Sequence, residues 1–290
     1  MSRSFSRCRV LRFCCAIFLA GSAAVGGWAA ESAPVRPLDP PQTWLYFGDE
    51  FAARAEPSLN APARSTKVNR GMNLIMTQSA ADAEGHPWLG WESGGKTFWI
   101  PEAFLTRVAQ ANQKTGNLPI GEEVVNYDEA LPLDYSPDDT QPLPAEFRYD
   151  SSMPYPLRTE ARQHLLDLLR AATDEGLHLK VVSACRSAET QRDLYLAKIR
   201  EEGLGQSTVA KPGHSEHQLG TTVDLAGPDK ATLLSAEFGA TKEGQWIKKN
   251  GARFGFVISY TVENQAQTRY SPEPWHLRYV GVEKAKDWKP

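Results

Sequence analysis

The run Lys211-Pro-Gly-His-Ser-Glu-His-Gln-Leu-Gly-Thr-Thr-Val-Asp224 constrains this chain more than any other part of it. A second dense run, Glu273-Pro274-Trp275-His276, lies near the C-terminus. Imidazole nitrogens and carboxylate oxygens are donors that zinc takes. Two histidines, one carboxylate ligand and one spare carboxylate make the inventory of a catalytic zinc site with its general base. If His217 and Asp224 reach one ion, their donor atoms lie about 2 Å from it. A straight strand would part their backbones by roughly 23 Å. The segment must therefore bend, and Gly220 is the residue best able to permit it. Pro272 and Pro274 exclude a regular helix interior around Glu273. An extended turn is expected there, delivering His276 as a third ligand with Glu273 nearby but unbound. Three protein ligands leave a fourth position for water. His214 stands three residues before His217 and competes as a ligand on this reading.

With 290 residues there is room for about two domains. The net charge of -3 and the lack of a basic block argue against nucleic acid as a partner. Residues 1–29 carry Arg3, Arg7, Arg9 and Arg12 and no acid, then an apolar and small-residue run from Phe13 to Val25, then Gly27-Trp28-Ala29. That is the layout of a secretory signal peptide, cut after Ala29 or Ala30. The apolar run falls short of the ~20 residues that span a bilayer. The mature protein is therefore expected to be exported, periplasmic or secreted, with no membrane attachment. Cys8, Cys14 and Cys15 belong to the signal, which leaves Cys185 without an internal disulfide partner. Cys185 is read as a small buried residue.

Residues 30–42 are proline-rich and read as a linker. Over 43–108 short apolar runs (Trp44-Leu-Tyr-Phe47, Asn73-Leu-Ile-Met76, Trp88-Leu-Gly-Trp91, Phe98-Trp-Ile100) alternate with turn residues such as Arg70-Gly71 and Ser93-Gly94-Gly95. This texture predicts a small all-β barrel. Arg54-Ala-Glu-Pro-Ser58, Asn69-Arg-Gly71 and Trp99-Ile-Pro-Glu-Ala-Phe-Leu105 resemble bacterial SH3-like domains, which in exported proteins often bind cell-wall peptides. Residues 109–136 read as a second linker, and 137–290 as a second domain. There Thr159 to Glu175 has a helical period, with Ala161, Leu165, Leu168, Leu169 and Ala172 on one face and Thr159 as cap. Ser187 to Gly203 and Thr241 to Gly251 read as further helices, the former capped by Ser187. Leu177–Ser183, Val223–Leu225, Phe254–Tyr260 and His276–Val280 read as strands. Helices and strands mix without a βαβα rhythm, so the expected class is α+β, a small antiparallel sheet with flanking helices.

Three blocks carry a more specific resemblance: Ser183-Ala-Cys-Arg-Ser187 with Gln191 and Leu194-Tyr195; Pro212 through Asp224; and Glu273-Pro-Trp-His-Leu-Arg-Tyr-Val-Gly281. In this order the second domain resembles the D-alanyl-D-alanine carboxypeptidase family of zinc peptidases, the vancomycin-resistance type, within a wider group that includes lysostaphin and hedgehog domains. The resemblance implies Zn²⁺ held by His217, Asp224 and His276, with Glu273 as catalytic base. It implies that Arg186 holds the scissile carbonyl and that Ser215 and Gln191 bind substrate. The expected substrate is a peptidoglycan stem peptide cleaved by D,D-carboxypeptidase action. L,D-carboxypeptidase and endopeptidase activity are the alternatives, and a catalytically inactive wall-binding protein is the alternative of another class. The oligomeric state is not set by the sequence. Cys185 stands where the family usually has an aromatic residue, Thr222 where it often has alanine, and Arg269 and Pro272 where it has glycine and tyrosine.

Overall fold

The computed structural model describes residues 34–107 and 117–288, all within one compact unit spanning Ser32–Pro290. The predicted signal peptide lies outside the described residues.

Seven strands come first: β1 Arg36–Tyr46, β2 Phe51–Arg54, β3 Ala63–Val68, β4 Asn73–Ala81, β5 Pro87–Ser93, β6 Lys96–Pro101 and β7 Leu105–Arg107. They form one antiparallel sheet in the order β3-β2-β6-β5-β4-β1-β7. Trp44, Tyr46, Met76, Leu89, Phe98, Ile100 and Leu105 are the larger members of its buried core. The all-β expectation for this region matches the sheet. The proline-rich stretch expected as linker differs, because residues 36–42 already belong to β1. β1 pairs with β4 at Arg36↔Ser79 and Pro37↔Gln78, then shifts register before Gln42↔Met76. β7 pairs only with Trp44–Tyr46. Pro40 and Pro41 thus sit in the bulge, and on that side β1 has no ladder partner to lose, so their missing N–H groups cost nothing.

The remainder runs β8 Thr140–Gln141, β9 Leu157–Arg158, α1 Thr159–Asp174, β10 Lys180–Ser183, α2 Ala188–Glu202, β11 Thr222–Ala226, α3 Lys242–Asn250, β12 Phe256–Ile258, α4 Gln265–Thr268, β13 His276–Tyr279 and α5 Val282–Lys286. A four-stranded antiparallel sheet, β10-β11-β13-β12, is its frame. The five apolar positions named for α1 are all buried, with Leu166 beside them, and they share one core with Val181, Val223, Leu225 and Leu277. Ser187 Oγ accepts from Thr190 N at 3.2 Å, so α2 starts at its predicted cap, and Thr241 Oγ caps α3 by accepting from Gly244 N at 3.0 Å. Thr159 does not cap α1. Its hydroxyl donates to Asp139 O at 2.7 Å, tying the helix start to the preceding loop. No helix among the described residues is long and apolar enough to cross a membrane.

The second predicted linker also differs. Residues 117–136 pack as a strap along the second sheet, with Val125 and Leu131 buried against Leu219. The strap hydrogen-bonds buried groups that would otherwise lack partners: Leu118 O accepts from Arg158 Nη1 at 2.7 Å, Glu123 O from Arg278 Nη2 at 2.6 Å, and Pro132 O and Tyr135 O from Gln218 Nε2 at 2.9 and 3.0 Å. Its polar, proline-broken composition reads as a linker because backbone carbonyls, which do this work, leave no trace in a residue pattern.

Candidate metal centre

β11 and β13 are in register, with Asp224 opposite His276 and Thr222 opposite Arg278. Side chains alternate along a strand. Val223, Leu225, Leu277 and Tyr279 enter the core with α1, so Asp224, His276 and Arg278 stand on the other face. His217 arrives from a short 3-10 turn, Glu216–Leu219. Ser215 Oγ caps this turn by accepting from His217 N at 3.3 Å. Gly220 ends it with φ +73°, the left-handed region that favours glycine. The expected bend therefore falls at Gly220, and a Cβ there would lie 2.8 Å from Pro137 Cγ.

The donor atoms of His217, Asp224 and His276 all lie within 4.8 Å of one another, and all three residues are buried. Asp224 Oδ2 is 3.1 Å from His217 Nε2, and its Oδ1 is 3.1 Å from His276 Nδ1. The second nitrogen of each ring is engaged. His217 Nδ1 donates to Ala184 O at 2.7 Å, and His276 Nε2 meets Glu216 Oε2 at 3.0 Å. Each histidine therefore turns its other nitrogen to the shared point, as metal-bound histidines anchored by a carbonyl or carboxylate do. Two imidazole nitrogens and a carboxylate oxygen suit zinc by donor type and by number. His214 is no part of this set. Its Nδ1 is 2.9 Å from Asn126 O and its Nε2 3.0 Å from Thr106 Oγ1, so both nitrogens are used elsewhere.

The electrostatics favour a cation at the shared point. Burial would raise the pKa of Asp224, but His217 and His276 hold it far below the carboxylate range. Burial would likewise raise Glu216, yet the Arg278 guanidinium and His276 bring it down to about 2. Burial pushes Glu273 up to about 7, with Asp224 and Glu216 adding to the rise against the pull of His276 and Arg186. Two ionised carboxylates thus flank the donor nitrogens, and a third can carry a proton near neutral pH.

Around the donors opens a cleft of about 580 Å³. Arg186, Gln191, Ser215 and Glu273 all line it. Glu273 Oε2 is 3.5 Å from His276 Nδ1, held there by the turn that Pro272 and Pro274 impose. Arg186 follows β10, and its backbone N donates to His217 O at 3.1 Å. Gln191 Nε2 donates to Ala210 O at 2.8 Å, while Gln191 Oε1 and Arg186 Nε have no partner among the described residues. One acceptor and one donor, both enclosed, are thus left without a protein partner beside the cleft. Tyr260 completes the back wall, its ring 4.8 Å from that of His276.

Sequence reasoning missed Glu216. It is enclosed between His276 Nε2 and Arg278 Nη1, the latter at 2.9 Å from Oε1. The available signal was the spacing of His276 and Arg278, which puts both on one strand face, beside an acidic neighbour of His217.

Fold and site together define an α+β domain whose buried His217–Asp224–His276 donor cluster opens into a cleft. Residues 155–282 match the family model described as VanY, D-alanyl-D-alanine carboxypeptidase. Over 130 residues the chain is 32% identical to the bifunctional D-Ala-D-Ala dipeptidase and D-Ala-D-Ala carboxypeptidase VanXYC of Enterococcus gallinarum, covering 43% of this chain and 68% of that protein. The chain belongs to the VanY D-alanyl-D-alanine carboxypeptidase family. It is also 36% identical over 166 residues to YodJ of Bacillus subtilis (strain 168), covering 56% of this chain. It spans 61% of that relative's length. The solved structure of the LdcB LD-carboxypeptidase superposes with a TM-score of 0.53 at 36% identity, covering 56% of this chain and 78% of that one.

Proposed function

We propose that this protein is an exported zinc-dependent carboxypeptidase that removes the C-terminal D-alanine from peptidoglycan stem peptides. The observation that carries the reading is the buried His217–Asp224–His276 donor set with Glu273 beside it at the floor of a cleft. In this reading those three residues hold Zn²⁺. When bound, zinc supplies the Lewis acidity that makes water a nucleophile near neutral pH. Glu273 takes the proton from the attacking water and passes it to the leaving amine, a role suited to a carboxylate whose pKa burial raises to about 7. The Arg186 guanidinium faces the cleft as a fixed cation for the scissile carbonyl and the charge that develops on it. Gln191 and Ser215 line the cleft and help bind the substrate.

D,D-cleavage of pentapeptide is the first assignment, in keeping with the family. The likeness to the LdcB LD-carboxypeptidase favours L,D-cleavage of tetrapeptide as the second. We read residues 43–108, which hold most of the first sheet, as an SH3-like domain, and residues 1–29 as the export signal.

Digestion of defined stem peptides with mass detection tests the whole reading. Free D-alanine from pentapeptide but not tetrapeptide is expected from the zinc-loaded protein, and Glu273→Gln should lower kcat by about 10³-fold while retaining zinc. Identical products and rates from wild type and Glu273→Gln would sink the enzyme assignment. Release from tetrapeptide alone would move it to L,D-cleavage.

A further inference from the structure

Helix α2 has two working faces. Gln191, Leu194, Lys198 and Glu201, spaced three or four residues apart, line the cleft. Turned toward the first sheet are Arg192, Tyr195, Leu196 and Ile199. Tyr195 and Leu196 share a buried cluster with Phe47, and the Phe47 and Tyr195 rings meet edge-on at 5.7 Å. Arg192 Nε donates to Phe47 O at 2.7 Å, and its Nη2 to Asp49 Oδ1 at 2.6 Å. Arg200, two turns on, reaches the other oxygen of Asp49 at 3.0 Å. The Arg192 side chain is only 11% exposed, so its bond to Phe47 O is shielded from solvent competition, while Asp49 closes the contact from the solvent side. The metal donors come from the 3-10 turn, β11 and β13, none of which belongs to this contact. The residues matched by the family model begin at 155, so the sheet that grips α2 lies outside them.

We infer that Arg192 is a positioning residue: through Phe47 O and Asp49 it fixes α2 against the first sheet and so sets the outer wall of the substrate cleft. The first sheet is then part of the peptide-binding apparatus, whatever else it binds. From Gln191 to Glu201 the wall runs about 15 Å at 1.5 Å per residue. An extended peptide advances about 3.3 Å per residue, so this wall reaches well past the last two residues of a bound stem peptide. A substrate truncated to an N-acyl D-alanyl-D-alanine meets only the inner end. A loosened α2 therefore weakens binding of long substrates and leaves the chemistry and the metal intact.

The inference rests on the function proposed above, and its test uses the full-length, zinc-loaded protein. Arg192→Ala and Asp49→Ala are compared with wild type on pentapeptide and on the N-acyl dipeptide, with zinc content measured on the same samples. Asp49 lies on the sheet side with its side chain 64% exposed, so that variant carries the test if Arg192→Ala fails to fold. Both variants should raise KM for pentapeptide by about tenfold, with kcat, zinc content and dipeptide KM held within about twofold. Hydrogen exchange across residues 188–202 should quicken while β11 and β13 stay protected. Equal effects on both substrates, or an unchanged pentapeptide KM with release of D-alanine intact, would overturn the inference alone. If wild type releases no D-alanine from either peptide, the functional reading falls and takes this one with it.

Discussion

Glu216 and Gly220 flank the metal-side turn, and each supports it without offering a donor to the ion. Glu216 orients the His276 ring through Nε2 and neutralises the enclosed Arg278. Glu216→Gln is expected to weaken zinc binding by about 10- to 100-fold, the usual effect of removing a carboxylate that orients a metal-bound histidine. Competition with a chelating dye measures it, and an unchanged affinity would refute the orienting role. Gly220 holds φ +73°, and a side chain there meets Pro137 Cγ and Arg158 Cγ. Gly220→Val should cost at least about 1–2 kcal/mol from the backbone alone and lower bound zinc per protein. Thermal unfolding and metal analysis check both, and a fully loaded, equally stable variant would contradict the claim. At this scale residue type and the family resemblance marked His217, Asp224, His276 and Glu273 as candidates, spacing marked the bend at Gly220, and the structure brings these residues together. Glu216 was not, because its partners Arg278 and His276 lie far along the chain and reach it only through the fold.

The hairpin joining β4 to β5 is held by one carboxylate. Asp82 Oδ1 accepts from His86 N at 2.8 Å and from Glu84 N at 3.1 Å, and Oδ2 from the buried Trp88 Nε1 at 3.1 Å. Burial alone would raise its pKa, but the hydrogen bonds from Trp88 and His86 bring it below the ordinary carboxylate value. A folded pKa below the unfolded one contributes stability above about pH 4, and that contribution is lost as the pH falls through the folded value. Asp82→Asn should therefore destabilise most at pH 7, with the gap to wild type closing below about pH 4. Urea unfolding across that range checks the sign, and a gap that widens in acid would contradict it. Among the elements, α1 was readable from its apolar period and α2 from its Ser187 cap, because helices are built from local contacts. The strands of 177–183 and 254–260 came out shorter, as Lys180–Ser183 and Phe256–Ile258. In the second case Gly255, at φ +82°, ends a 3-10 turn where the strand was expected to begin.

At the scale of the molecule, a metal that binds only the folded chain adds its binding free energy to stability. Zinc present at about 1,000 times its Kd contributes about 4 kcal/mol. Stripping the protein with a chelator should therefore lower its Tm, and adding zinc should restore it. Unfolding curves that coincide with and without chelator would argue against an ion at this site. By itself the sequence determined the donor types, the bend between His217 and Asp224, the α+β class of the second domain and its family, because residue chemistry, local turns and helical period are local properties. Only the tertiary structure decided that Asp224 and His276 are cross-strand partners, that Glu216 and Arg278 lock the site from behind, and that residues 117–136 are packed rather than a spacer. Only it showed α2 gripped by the first sheet through Arg192. Each of these depends on strand register and on backbone carbonyls meeting side chains distant in sequence, and neither register nor a carbonyl's partner is written in the residues on one side alone. The run from Lys211 to Asp224 names two of the candidate ligands, but the pairing of β11 with β13 brings His276 to them.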